Sequence, residues 1–197
     1  GIAATDITAI EAATTGTVTV SNNINLTGTS AQIAAAVADV NTFSGSPTAA
    51  LSDAHTLAEL KAINNAIDGT ITLNDASVAL SGSSSDVTAA LNGITNYTGN
   101  VTLSDAHTLA QLKAINNATS GSITLNDASV ALAGSSADIA AALTGITSYT
   151  GTATLNDNHS LSELVTINNA TSGNITLNSN AVALTGSTSD VKAALAG

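Results

Sequence analysis

The feature that most constrains the fold is an internal repeat of 52 residues. The segment 51–102 returns almost unchanged at 103–154, and a more diverged copy occupies 155–197. His55, His107 and His159 mark this period, since each follows the previous one by 52 residues. A repeat of this length and regularity is typical of stacked copies of one supersecondary unit, in which each copy buries its apolar side against its neighbours.

Each repeat contains two sub-units, which we define as one helix followed by one short strand. The sub-units are anchored by leucines whose spacing alternates between 22 and 30 residues, at positions 51, 73, 103, 125, 155 and 177. β-Branched residues with period-2 alternation, as in Ile71-Thr72-Leu73, predict the strands. A spacing of 22 residues leaves room for one strand, a short helix and the next strand. The two strands are therefore predicted to be parallel, and the connection between them to be a right-handed crossover.

Helix starts are marked by capping boxes, in which a Ser or Thr precedes a Glu or Gln by three residues. The boxes lie at Thr56 to Glu59, Thr108 to Gln111 and Ser160 to Glu163. In the longer sub-units, Ser83, Ser135 and Ser187 precede an Asp by the same interval. Helices of about ten residues do not persist alone, so they must pack on neighbours.

Two local features of the sub-units concern the backbone. A glycine precedes each strand and is predicted to end the helix before it in the left-handed conformation, at Gly69, Gly99, Gly121, Gly151 and Gly173. The longer sub-unit also has an extra segment, Val78-Ala79-Leu80, which recurs in each repeat. This segment either turns back as a second strand or builds another face, and the sequence leaves both alternatives open.

The chain is predicted to be one domain, residues 1–197. Residues 1–50 form a degenerate copy of the repeat, because Thr17-Val18-Thr19-Val20 matches Thr70-Ile71-Thr72-Leu73 and Phe43 takes the place of Tyr97. Repeats 1, 2 and 3 are then 51–102, 103–154 and the truncated 155–197. The predicted fold class is an α/β repeat solenoid of short parallel strands and short helices, with the logic of leucine-rich repeats. Its terminal copies lack polar caps, which predicts a longer parent chain or end-to-end association.

Composition and charge exclude several classes of function. With 44% hydrophobic and 9% charged residues, the chain is unlike a disordered segment. A net charge of −11 with only three basic residues argues against nucleic acid or an anionic membrane as partner. No apolar run reaches the roughly 18 residues of a membrane helix. Every potentially reactive residue recurs with the repeat, whereas an active site breaks such symmetry, so we predict no enzymatic activity.

Five aspartates lie two residues after a strand leucine and form the first candidate site: Asp53, Asp75, Asp105, Asp127 and Asp157. Stacking at about 4.8 Å would bring these carboxylates into a ladder, where they repel one another unless bridged. One interpretation is bound Ca²⁺, which takes carboxylate and carbonyl oxygens as ligands. The other is that each Asp closes a turn with its own backbone.

Outward-facing threonines of the strands form the second candidate site: Thr19, Thr72, Thr102, Thr124, Thr154 and Thr176. A regular rank of threonines on a solenoid resembles the ice-binding face of β-solenoid antifreeze proteins. That resemblance implies binding of ice, and a surface polysaccharide is a second possible ligand. The alternative interpretation is that threonine is a good exposed strand residue.

Three further residue types recur once per repeat. The histidines are predicted to lie on the surface just before a helix. The Asn pairs, such as Asn64-Asn65, are predicted to bond the backbone of adjacent sub-units, as in leucine-rich repeats. Tyr97 and Tyr149 are predicted to pack between sub-units, together with Phe43.

The segments INNATSGSITL and SITLNDASVAL are similar to repeats in very large secreted bacterial surface proteins, of the kind seen in cyanobacteria and in giant adhesins. The resemblance implies export to the cell surface or medium and a structural role as spacer, coat, fibre or adhesive stalk. It implies partners in the form of neighbouring repeats. A calcium-stiffened adhesin segment is a further reading of the same resemblance.

Overall fold

The computed structural model describes residues 1–196, which form an α/β structure. Within these residues there are eight helices, α1 Ala4–Ala12, α2 Ser30–Asp39, α3 Leu57–Ala66, α4 Ser84–Leu91, α5 Leu109–Ala118, α6 Ser136–Leu143, α7 Leu161–Ala170 and α8 Thr188–Ala194. The same residues contain twelve short strands, β1 Ile2–Ala3, β2 Thr19–Val20, β3 Asn25–Gly28, β4 Thr42–Phe43, β5 Thr48–Leu51, β6 Ile71–Thr72, β7 Leu80–Gly82, β8 Val101–Leu103, β9 Ile123–Thr124, β10 Leu132–Gly134, β11 Ala153–Leu155 and β12 Ile175–Thr176.

The helix starts read from the sequence are confirmed. Helix α3 begins directly after Thr56, whose hydroxyl accepts the Glu59 amide while the Glu59 carboxylate accepts the Thr56 amide. The same reciprocal bonds precede α5 and α7. In the longer sub-units the Ser83 hydroxyl accepts the amide of Asp86, and its counterparts do the same. Each bond satisfies one of the amides that a helix start leaves free.

All of the strand pairs are parallel, as the spacing predicts. The strands form four small sheets, in the orders β1-β3-β5-β6, β2-β4, β7-β8-β9 and β10-β11-β12. The extra segment of the longer sub-unit supplies β7 and β10, and each of these strands begins a new sheet. It therefore does not turn back on the strand before it, which resolves the alternative left open above.

The core lies between the helices and the strands. Each helix packs mainly against the helix before it and the helix after it in the chain. Three clusters of buried aliphatic residues follow one another, and half-buried residues join them: Ile71 and Leu73 join the first two, and Ile123 and Leu125 the next two. The apolar core is therefore continuous along the chain and consists mostly of small aliphatic side chains.

The glycines before the strands have a different role from the one predicted. Among the described residues, only Gly28, Gly93 and Gly145 have a positive φ, so none of the five pre-strand glycines is left-handed. A Cβ on Gly99 would lie 2.0 Å from the carbonyl oxygen of Val78. A Cβ on any of the other four would lie 2.0 to 2.4 Å from a backbone oxygen. These positions need glycine because the backbones of neighbouring sub-units touch there.

We therefore expect Gly99→Ala to lower the free energy of unfolding by about 1–3 kcal/mol, the usual cost of forcing extra atoms into a packed site. Urea denaturation of the purified chain measures the change. Gly16→Ala is the matched control, since a Cβ at Gly16 would meet only the Thr14 hydroxyl, at 3.4 Å. Equal stability of the two variants would contradict this account of the close backbone contact.

Candidate functional site

The histidines are the largest departure from the sequence-based prediction. His55 and His107 are each only 3% exposed rather than on the surface. The Nε2 of His55 lies 3.1 Å from the Tyr97 hydroxyl, and that of His107 lies 3.2 Å from the Tyr149 hydroxyl. Histidine and tyrosine are 42 residues apart in both pairs. Each pair therefore joins the loop before α3 or α5 to the longer sub-unit that follows that helix. Both tyrosines are buried between sub-units as predicted, and Phe43 is half-buried.

The hydrogen bonds define the tautomer of these histidines. The Tyr97 hydroxyl donates its single proton to the Val78 carbonyl at 2.5 Å, and Tyr149 does the same to Val130 at 2.6 Å. The hydroxyl oxygen can then only accept from histidine, so Nε2 carries the proton. The Nδ1 atoms of His55 and His107 are buried without a hydrogen-bond partner. Protonation of Nδ1 would place an unpaired charged donor in the interior.

Burial dominates the ionisation of both pairs. It lowers the pKa of His55 and of His107 below the ordinary value, and the nearby carboxylates, chiefly Asp75 and Asp127 respectively, oppose this shift only in part. Burial also raises the pKa of Tyr97 and of Tyr149 to about 12. Both side chains are therefore neutral near pH 7, which is the state that their hydrogen bonds require.

The aspartates divide into two structural classes. Asp75 and Asp127 accept the amides and hydroxyls of Ser77 and Ser129, two residues later, so the predicted closure of a local turn is correct for them. These bonds lower the pKa of both carboxyls.

The aspartates Asp53, Asp105 and Asp157 do not close turns on their own backbone. Their carboxylates accept the amides of Ser30, Ser84 and Ser136, 21 to 23 residues earlier, at 2.7 Å. Those amides open helices α2, α4 and α6, so each aspartate caps the helix of the preceding sub-unit. The part of the chain that the structure describes contains no group of three His, Cys, Asp or Glu side chains that could hold a metal ion. Calcium binding by these aspartates stays a prediction.

Asparagine performs the complementary role at helix ends. The Asn64 amide nitrogen in α3 lies within 3.0 Å of the carbonyl oxygens of Ala89, Ala90 and Asn92, at the end of α4. Asn116 makes the same three contacts to the end of α6, and Asn168 contacts Ala193 in α8. The predicted backbone bonding by the Asn pairs is therefore confirmed for the first Asn of each pair, whereas the second is exposed.

An ion pair accompanies these caps. Lys61 on α3 pairs with Asp86 in the first turn of α4, and Lys113 on α5 pairs with Asp138 on α6. The pairing lowers the pKa of both aspartates. In repeat 3 the lysine is replaced by Val165, and Asp190 instead accepts from the Ser187 hydroxyl. Two of the three lysines therefore serve contacts between neighbouring helices.

The threonines do not form one uninterrupted rank. Thr102 lies opposite Thr124, and Thr154 lies opposite Thr176. The remaining neighbours in these rows are Ser81 and Ala133, and Thr72 lies opposite Ala50. Thr19 lies in the separate sheet β2-β4. The six threonines are exposed, apart from the half-buried Thr154. Four of them meet in two pairs, and the six do not form one array.

Shallow cavities recur at the helix ends. They are lined by equivalent residues, such as Asn64 with Gly69, Asn116 with Gly121, and Asn168 with Gly173. Their volumes are about 220, 530 and 740 Å³ from repeat 1 to repeat 3. The histidine–tyrosine pairs and the caps of Asp53, Asp105 and Asp157 join neighbouring sub-units and do not converge on one of these cavities.

No family model matches this chain, no curated protein matches it, and no solved structure matches it. None of the helices in residues 1–196 has the length and apolar content needed to cross a membrane.

Sequence reasoning missed the histidine–tyrosine pairs and the caps formed by Asp53, Asp105 and Asp157. The sequence did contain a signal for the histidine–tyrosine pairs, because each histidine is followed by a tyrosine 42 residues later. The aspartate caps also follow the repeat, but no local pattern indicates a partner more than 20 residues away.

We expect Asn116→Ala to lower the free energy of unfolding by about 1–3 kcal/mol, because it removes a donor from three carbonyls at the end of α6. The matched control is Asn117→Ala, since Asn117 is exposed on the same helix and brings the same gain in helix propensity. That control should stay within about 0.5 kcal/mol of the parent chain in urea denaturation. An Asn116 variant as stable as the Asn117 variant would refute the cap.

Stability should fall as the pH drops below about 6.5, the ordinary histidine pKa. Because burial lowers the folded-state pKa of His55 and His107, the unfolded chain binds protons first, and each proton favours unfolding. Urea denaturation at several values between about pH 7 and pH 5 measures this loss, which precedes carboxylate titration near pH 4.

His107→Phe removes one titrating group and should flatten this dependence, whatever its effect on stability at pH 7. Unfolding free energies that are the same at both ends of the pH range would contradict the neutral, buried state of the histidines.

Proposed function

We propose that the chain is a repeat solenoid, with alternating 22- and 30-residue sub-units in a 52-residue repeat, that has a structural function. In this proposal it is a module of a secreted or cell-surface protein and serves as spacer, coat, fibre or adhesive stalk. It acts through stacking and self-association rather than catalysis. The secreted or cell-surface location is supported by the similarity of the repeats to those of secreted bacterial surface proteins.

The observation that carries the proposal is that equivalent contacts between sub-units recur, one repeat apart, with the same bonds. The pair His55–Tyr97 corresponds to His107–Tyr149. The cap of Asp105 on Ser84 corresponds to that of Asp157 on Ser136, at the same 2.7 Å. An interface that recurs with identical chemistry can be extended by further copies without any new type of contact.

The distribution of exposed apolar residues supports end-to-end association. Among the described residues, the large exposed hydrophobic side chains are Ile2, Ile10 and Leu195. The first two lie in or beside α1, and Leu195 follows α8, so all three belong to the two ends of the structure. Apolar surface gathered at such positions is typical of an interaction site.

The remaining groups also favour a structural role. His55 and His107 are engaged in buried pairs, and the first Asn of each pair contacts the end of a helix. Three of the repeated aspartates cap helices, and these engagements favour a structural role over catalysis. The net charge of −11 leaves nucleic acid an unfavourable partner.

Two alternatives remain as predictions. Ice or polysaccharide binding would use the facing threonine pairs, Thr102 with Thr124 and Thr154 with Thr176. A calcium-stiffened adhesin segment would use the repeated aspartates, and it is weakened because three of those carboxylates already accept helix amides.

We expect sedimentation velocity to show linear oligomers that lengthen as protein concentration rises, with small-angle scattering giving a constant cross-section. Ile10→Asp should suppress this growth, because it places a charge on an exposed apolar end position. Thr5→Asp is the matched control, an exposed position on the same helix.

A chain that stays monomeric at every concentration would refute self-association. Thermal hysteresis in the same samples, a freezing temperature below the melting temperature of ice, would instead favour the ice-binding alternative.

A further inference from the structure

Residues 97–105 and 149–157 each span the boundary between two successive repeats and make equivalent contacts. They share the pattern Tyr-Thr-Gly-x-[Val/Ala]-Thr-Leu-x-Asp, and we call them the covering segments. Each places its strand, β8 or β11, beside the first strand of the same sheet, β7 or β10. The tyrosine at one end reaches a buried histidine, and the aspartate at the other end caps a helix.

The surface that receives a covering segment is also repeated. In repeat 1 it offers the Ala76 carbonyl to the amides of Thr98 and Gly99, at 2.9 and 3.0 Å. The Leu80 amide donates to the Asn100 carbonyl at 2.9 Å. In repeat 2 the Ala128 carbonyl and the Leu132 amide make the same bonds. Recognition therefore uses backbone hydrogen bonds along one strand and a specific side chain at each end.

Repeat 3 carries the receiving half of this interface without a covering segment among the described residues. We call this half the terminal face, formed by His159, Leu184, Thr188, Val191 and Leu195. They occupy the positions of His107, Leu132, Ser136, Ile139 and Leu143. The chain has only two tyrosines, and both are engaged with His55 and His107, so no tyrosine faces His159.

The exposed fractions of equivalent residues show how much surface the covering segment and the helix after it bury. Leu91 and Leu143 are 2% and 1% exposed, whereas Leu195 at the equivalent position is 61% exposed. Ser84 and Ser136, whose amides are capped by aspartate, are buried, whereas Thr188 is exposed. His159 is nevertheless only 5% exposed, and its Nδ1 atom has no hydrogen-bond partner.

We propose that the terminal face binds, by strand addition, a polypeptide segment with the covering pattern. The added strand lies beside residues 182–186, the counterparts of β7 and β10, which form no strand in the described structure. Its tyrosine hydroxyl accepts a hydrogen bond from the Nε2–H of His159, and its aspartate carboxylate accepts one from the amide of Thr188. The inference rests on the proposed stacking function and names the chemistry that selects the partner.

The two side chains at the ends of the pattern give the site its selectivity. A strand without tyrosine leaves the buried His159 unpaired, and a strand without aspartate leaves the first amide of α8 uncapped. The apolar residues between them, with the following helix, cover Leu195 as Val101 and Ile115 cluster with Leu91 in repeat 1. Peptides that merely form strands therefore bind more weakly.

The test uses the full chain and a synthetic peptide of residues 95–120, which contains a covering segment and the sequence of α5. Calorimetric titration measures affinity, and the NMR signals of Leu184, Thr188 and the His159 ring locate the site. We expect saturable binding that perturbs these signals. In the peptide, Tyr97→Phe and Asp105→Asn should each weaken binding by roughly three- to tenfold, the range for loss of one hydrogen bond.

A matched pair of chain variants confines the effect to the terminal face. Leu195→Asp places a charge on its exposed apolar residue and should abolish binding. Ser189→Asp adds the same charge on α8, at a position that is exposed in every repeat, and should leave binding unchanged. Binding that tolerates Leu195→Asp, or that ignores the tyrosine and aspartate of the peptide, overturns the inference.

The outcome is separable from that of the proposed function. If the chain forms longer oligomers but the peptide does not bind, the inference is overturned and self-association stands. If the peptide binds with the expected dependence while the chain stays monomeric, the inference holds and self-association is overturned.

Discussion

The structure depends on satisfying the backbone groups that short helices leave free at their ends. An α-helix has unpaired amides at its start and unpaired carbonyls at its finish. Here many of them are satisfied across sub-units. Asp105, from the following sub-unit, accepts the first amide of α4, and Asn64, from the preceding helix, contacts the carbonyls at its end. A helix of eight residues is thus held at both ends by its two neighbours.

This dependence explains how a chain with so few large side chains forms an ordered core. The aliphatic clusters are small and continuous, and isolated helices of this length are unstable in water. Stability therefore comes from the contacts between sub-units, which include the buried histidine–tyrosine pairs. A sub-unit with a neighbour on one side only lacks half of these contacts, and this is the physical basis of our proposal that the ends take part in association.

Much of the local structure could be predicted from the sequence. The capping boxes at Thr56 and Ser160, the parallel strands and the structural role of Asn64 follow from residue types at short range. The histidines were placed wrongly because His55 directly precedes a helix N-cap, where exposed polar residues are common. Its burial depends on Tyr97, a residue far along the chain. Likewise, one set of aspartates, each two residues after an anchor leucine, divides into local turns and caps on a neighbouring sub-unit, which position in the repeat alone does not distinguish.

By itself, the sequence determined the period, the alternation of helix and strand, and the start of most helices, because hydrogen bonds and alternation within a few residues specify them. The tertiary structure alone decided that His55 and His107 are buried and that Asp53, Asp105 and Asp157 cap helices of the preceding sub-unit. It also showed that Gly99 lies against the Val78 carbonyl rather than in a left-handed turn. These properties depend on the distance between backbones of different sub-units, which is a consequence of packing and is not encoded at any one position.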